Sequence, residues 1–250
     1  MSLYNLKNAF HIQVGLPIWR IEIDEKKQLI AVESRQQDGS KPQLSVYTFQ
    51  GEEICSPLQL PAKEWTLASI QGDYIVCKKF GSATPLAAGV LIYNFRTSEV
   101  PSSFLAHHYL EALEGAVKVR HQNFQTGFEE YVLLGENTLR RSLPTAIKPF
   151  VNKIVYPLHY QGKRPKFLAP YAAIEDLWIS QVGDKYIWTY YQKNQELWDI
   201  KLLVSNKYEV FAEATIAEGL KLRVPTIYFQ VEEQIFLLTD NKQEIVSYLV

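Results

Sequence analysis

Trp19-Arg20-Ile21-Glu22-Ile23 opens the pattern that decides the fold. A charged turn at Asp24 to Lys27 follows it, then Leu29-Ile30-Ala31-Val32, a polar loop, Leu44-Ser45-Val46-Tyr47-Thr48-Phe49, and Glu53-Ile54 after a turn at Gln50-Gly51. Short runs rich in β-branched and aromatic residues, bounded by turn chemistry, read as β-strands. The next stretch repeats the order: Trp65-Thr66-Leu67, a Gly72-Asp73 turn, Tyr74-Ile75-Val76-Cys77, a loop, Val90-Leu91-Ile92-Tyr93-Asn94-Phe95 and Glu99-Val100. Trp19 to Trp65, Tyr47 to Tyr93, Phe49 to Phe95 and Glu53 to Glu99 are each 46 residues apart. The unit of the fold is therefore a repeat of four short strands.

A third copy reads Leu177-Trp178-Ile179, a Gly183-Asp184 turn, Tyr186-Ile187-Trp188-Thr189-Tyr190-Tyr191, Glu196-Leu197-Trp198-Asp199-Ile200 and Glu209-Val210. Between the clear copies, Ala116 to Arg120 and Glu130 to Leu134 are strand-like pieces of a degenerate unit. Pro144, Pro149, Pro157, Pro165 and Pro170 crowd the stretch from Ser142 to Pro170. Proline cannot donate to a central ladder, so edge strands or a long connection are expected there. At the C-terminal end Thr226 to Val231, Gln234 to Thr239 and Glu244 to Val250 supply three strands where the repeat needs four. Phe10, Ile12 and Val14 alternate with His11 and Gln13 in a strand that has no partner of its own, and this strand is expected to complete the last unit.

Residues 18–100 and 177–250, laid against one another, resemble the broad group of β-propeller repeat proteins, including an uncharacterised bacterial family of that architecture. The resemblance implies an all-β fold. It implies one domain over residues 1–250, a small β-propeller of about five four-stranded blades closed by the N-terminal strand, with an irregular Pro-containing segment at about 142–174. The alternative is an antiparallel β-sandwich of two packed sheets. Trp198-Asp199 does not recur and the paired glycines of kelch blades are missing, so no named subfamily and no catalytic residue follow from the resemblance.

Composition narrows the function. With 26 basic and 27 acidic side chains there is no global field to draw the protein to nucleic acid or anionic lipid. Lys163, Arg164 and Lys166 do not make a basic face by themselves. No apolar run reaches the length of a membrane span, and the first residues do not read as a secretory signal, so a cytoplasmic protein is expected. Cys55 and Cys77 offer neither a disulfide framework nor a metal-ligand spacing, and Cys77 lies in an apolar strand as a small core residue. The expected partner is a protein or a small-molecule ligand, bound without cofactor, metal, nucleic acid or membrane; a monomer is compatible with this.

No glycine-rich phosphate loop or nucleophile elbow is present, so no catalytic residue is assigned. His107-His108 reads as a surface or helix-end pair, since neighbours on a strand point to opposite faces and do not jointly ligate a metal. Asp24, Asp73, Glu175, Asp176, Asp184 and Asp199 are candidates for the paired carboxylates of a glycan-acting hydrolase near the ring centre, the alternative function. Asp24, Asp73 and Asp184 recur at one hairpin turn, where aspartate serves local backbone hydrogen bonds. The favoured function is non-catalytic binding on loops that the repeat does not explain. Tyr156, His159, Tyr160 and Arg164 lie in such a stretch, Ile154 to Phe167, and Trp188 and Tyr190 share one face of a neighbouring strand. These six are the expected ligand-binding residues.

Overall fold

A computed structural model describes residues 6–80, 88–97, 101–136, 138–143, 146–171, 176–223, 228–239 and 241–250. Glu99, Val100, Pro144, Glu175 and Thr226, all singled out above, lie outside these residues. Apart from a 3-10 turn at Lys166–Leu168, every regular element among the described residues is a strand. The strands form five antiparallel sheets, three of four strands and two of five, rather than the two sheets of a sandwich. By its internal contacts the chain divides into two compact units, Leu16–Asn152, and Met1–Gly15 with Lys153–Val250.

In the second of these units β1 (Lys7–Gln13) pairs antiparallel with the last strand of the chain, which spans Glu244–Leu249. Phe10 faces Ser247 and Ile12 faces Ile245. The alternation of apolar and polar side chains has a simple consequence here: Phe10 and Ile12 are buried and His11 and Gln13 are exposed.

The unit of residues 16–152 holds three meanders in sequence order. The first sheet is β2 (Ile18–Asp24), β3 (Leu29–Ser34), β4 (Gln43–Thr48) and β5 (Glu53–Gln59). The second is β6 (Trp65–Gln71), β7 (Tyr74–Lys79), β8 (Val90–Asn94) and β9 (Ser102–Phe104). The third, the degenerate unit, is β10 (His107–Leu113), β11 (Ala116–His121), β12 (Glu129–Leu133) and β13 (Leu139–Arg140). In each sheet the first strand carries a register shift against the second, at Ile18/Arg20, Leu67/Ser69 and Tyr109/Glu111. A bulge inserts one residue and increases local twist.

Two apolar layers bind these sheets. Leu44 and Val46 of the first sheet pack with Leu67, Ile75 and Leu91 of the second. Val76, Val90 and Ile92 on the opposite face of the second sheet pack with Val117, Val119 and Val132 of the third. A strand buried on both faces reads as a continuous apolar run, which is why Tyr74 to Cys77 and Val90 to Tyr93 lack alternation. Cys77 lies in the first layer, where burial holds its thiol well above the ordinary range.

The other unit holds two sheets. The crowded proline stretch supplies their edges: β14 (Ile154–Val155) borders β20 (Phe229–Val231), and β15 (Leu158–His159) borders β16 (Leu177–Val182). From β16 the chain runs through β17 (Lys185–Asn194), β18 (Leu197–Ser205) and β19 (Val210–Leu220), and from β20 through β21 (Gln234–Leu238) to β22 (Glu244–Leu249) and β1. The third-copy strand 186–191 divides as its alternation requires. Ile187 and Tyr191 join the layer shared with Ile235 and Leu237, whereas Trp188 and Tyr190 face Leu168 and Leu177. Between the two sheets, Ser180 Oγ donates to Gln230 Oε1 at 2.8 Å and so accepts from the Tyr228 hydroxyl at 2.6 Å.

Candidate functional site

The six residues expected to bind ligand are not gathered into one site. Tyr156 is exposed beside β14, and exposed His159 lies 3.5 Å from the carboxylate of Asp176 and edge-on to Trp178. The Arg164 guanidinium donates to the carbonyls of Leu168 and Tyr171 and so clasps the 3-10 turn. Tyr190 is buried, its hydroxyl pushed up to about 12 by desolvation first and by the charge of Glu213 second. Tyr160 and Trp188 do meet, ring centres 5.2 Å apart and nearly perpendicular, and together with Phe167, Ile179 and Tyr186 they line a cavity of about 260 Å³. The Trp188 indole N–H is already given to Ser205 Oγ at 2.8 Å. The stretch 160–171 packs on the Trp188 face of its sheet, where Leu168 is completely buried.

Two of the aspartates that suggested hydrolysis, Asp24 and Asp199, hold backbone amides of the fold. Asp24 accepts from the Lys27 and Gly72 amides at 3.1 and 2.7 Å, tying a turn of the first sheet to a turn of the second. Asp199 accepts from the Gly219 amide at 3.0 Å and from Asn194 at 3.1 Å. Asp73 pairs with Arg96 at 3.2 Å, Asp176 with Arg223 at 2.7 Å, and Asp184 is an exposed turn residue.

A larger cavity, about 800 Å³, opens at the third sheet. His107, the first residue of β10, lies directly across the ladder from His121, the last of β11, with ring centres 5.2 Å apart. The Glu130 carboxylate accepts from His107 Nε2 at 3.0 Å. His107 is buried, and its Nδ1 has no hydrogen-bond partner among the described residues. Such an orphaned buried group costs about 1–3 kcal/mol unless something answers it. His121 Nδ1 accepts from the Asn123 amide at 3.3 Å, which puts the proton of its neutral ring on Nε2.

The wall comes from the loop between β11 and β12. Phe124 and Phe128 stack with ring centres 4.4 Å apart, and Phe128 is 71% exposed. Gly127 and Phe128 both have positive φ, 69° and 49°. For a bulky side chain the left-handed region costs about 1–2 kcal/mol, and residues held there concentrate at ligand clamps and switches. Arg120, donating to the Gln125 carbonyl at 2.6 Å, anchors the loop, while Glu129 is neutralised by Lys118 at 2.7 Å and Arg120 at 3.6 Å. Arg141 stands exposed at the rim.

The surface or helix-end role expected for His107-His108 is therefore corrected for His107: it begins a strand and is buried. Its partner is a histidine 14 residues on, which adjacency could not reveal. Counted back from the Glu114-Gly115 turn along a regular hairpin, His107 would oppose Gln122; the shift between Tyr109 and Glu111 brings it opposite His121. Among the described residues no group of three His, Cys, Asp or Glu is arranged to hold a metal ion. A scan against protein-family models finds no match for the chain, and no curated protein matches it.

Proposed function

We propose that the chain is a β-propeller whose five sheets are blades, closed by β1, and that it works as a binding module with its ligand seated in the cavity of the third sheet. The observation that carries the binding reading is the pairing of an exposed, backbone-strained aromatic with buried His107 and its partly buried partner Glu130 around about 800 Å³ of space. Cavities of this size with apolar walls and few polar groups are where small ligands lodge. The neutral probe 2-phenylethanol should saturate a single site and perturb the NMR signals of His107, His121 and Phe128, and Phe128→Ala should weaken it. Perturbations confined to other residues would remove this seat from consideration.

Ring closure has its own test. β1 covers one edge of β22. Deleting residues 1–13 should lower one cooperative transition seen by probes in both halves of the chain; if only signals from residues 153–250 respond, the sheets do not form a closed ring.

A second reading, glycan hydrolysis, keeps one observation in its favour. Glu22 and Glu111 line a common cavity of about 290 Å³ with Tyr109, and burial raises the Glu22 carboxyl above its ordinary range. Release of nitrophenol from aryl glycosides, abolished in Glu22→Gln, would support it; its absence in the wild-type protein leaves binding alone.

A further inference from the structure

We infer that the ligand of the third-sheet cavity is an organic cation, a primary or substituted amine carried on an aromatic or alkyl body. This rests on the cavity being the binding seat. Several carboxylates of the unit of residues 16–152 are met by arginine or lysine. Glu22 has Arg20, Glu33 has Arg35, Glu114 has Lys26, and Glu129 has Lys118 with Arg120, all within 2.6–3.6 Å. Glu130 is answered instead by a histidine, at 3.0 Å, and its side chain is 24% exposed. One imidazole hydrogen bond satisfies one lone pair of the carboxylate and leaves its remaining acceptor sites open to a ligand. The floor of the cavity thus holds a partly buried carboxylate whose ion-pair partner among the described residues is a histidine rather than a lysine or arginine.

The walls suit the same ligand. Phe124 and Phe128 present stacked π systems, so a cation drawn to Glu130 meets aromatic faces that attract positive charge. The body that carries the amine covers apolar surface on Phe124, Phe128 and Leu139. Arg141, the opposing charge, is at the rim and exposed, where solvent screens it more than the partly buried carboxylate is screened. An anionic ligand would need Arg141 to prevail over Glu130; the burial difference favours the cation.

Phenethylammonium, 2-phenylethanol and phenylacetate share one body and differ in charge. Titrated by calorimetry into the full chain, the cation should bind at least about tenfold more tightly than the alcohol, and the anion more weakly than either. Glu130→Gln should bring the cation down to the affinity of the alcohol. Phe128→Ala, at an exposed position that cannot unfold the core, should weaken all three. Equal affinities, or tightest binding by phenylacetate, would overturn the inference and leave the cavity as the seat. Failure of all three to bind there would overturn both.

Discussion

The two junctions between sheets in the unit of residues 16–152 begin alike and end differently. In each, the first residue of the incoming strand has its carbonyl held by the preceding sheet: Trp65 by the Arg35 guanidinium at 2.6 Å, His107 by the Gly89 amide at 2.8 Å. In the first junction the charge is then fully answered. Arg35 also donates to Glu33, Gly39 and Lys63, Glu33 accepts from Thr66 Oγ1 and the Leu67 amide at 2.7 Å, and the side chains are 2% and 0% exposed. The guanidinium also lies over the Trp19 and Phe80 rings, its carbon 4.9 and 5.2 Å from the ring centres. In the second junction the histidine keeps an unanswered nitrogen and the carboxylate meets a cavity. A buried polar group with every partner in place fixes a fold; one with a partner missing and space beside it marks where something else binds.

Breaking each pair measures that difference. Glu33→Ala leaves a buried guanidinium without its counter-charge and should cost about 3–5 kcal/mol in urea unfolding. Glu130→Ala removes a half-exposed partner and should cost about 1 kcal/mol. If the two single substitutions prove equally damaging, both pairs are structural and the contrast fails.

The loop above the cavity gives a smaller effect with an unusual sign. Phe128→Ala and Phe128→Gly delete the same ring, and only alanine retains a Cβ in the left-handed region. Glycine should therefore leave the protein more stable than alanine by about 1 kcal/mol, the reverse of the order at an ordinary position. A melting-temperature comparison of the two variants is sufficient, and alanine being the more stable would show that φ at Phe128 is not positive in solution.

Much of the fold was legible because its signals are local. Landmarks 46 residues apart, turn pairs such as Gly72-Asp73 and Gly183-Asp184, and the run of prolines located strands, hairpins and the short edges β14 and β15 without reference to anything distant. The partnerless strand at Phe10 was readable for the same reason, since its alternation needed a sheet and the last repeat lacked a strand. The cavity was not legible. It depends on a one-residue bulge that sets which side chain opposes His107, and a single inserted residue changes every cross-strand pair beyond it without altering composition or periodicity. Phe128 carries no signal in the sequence, because an exposed aromatic in a loop looks ordinary until its φ is known. Residue type alone likewise does not show that Arg164 donates to backbone carbonyls or that Tyr190 is buried.

Glu22 tests the contrast at its faintest, because it stands between the two cases: an arginine answers it, but an exposed one. Arg20 donates to it at 2.8 Å, with the two side chains 40% and 26% exposed. Desolvation outweighs this help, so the folded-state pKa lies above the ordinary glutamate value of about 4.3. A raised carboxyl contributes stability that is fully present below the unfolded value and lost as pH rises through the folded one. Between about pH 4 and neutrality the wild-type protein should therefore lose a fraction of a kcal/mol from this site alone. Glu22→Gln should remove that slope, matching the wild type near pH 4 and exceeding it slightly at pH 7. Parallel stability curves for the two proteins across this range would mean that Arg20 answers Glu22 as completely as Arg35 answers Glu33, and the gradation from closed to open junction would then have no middle.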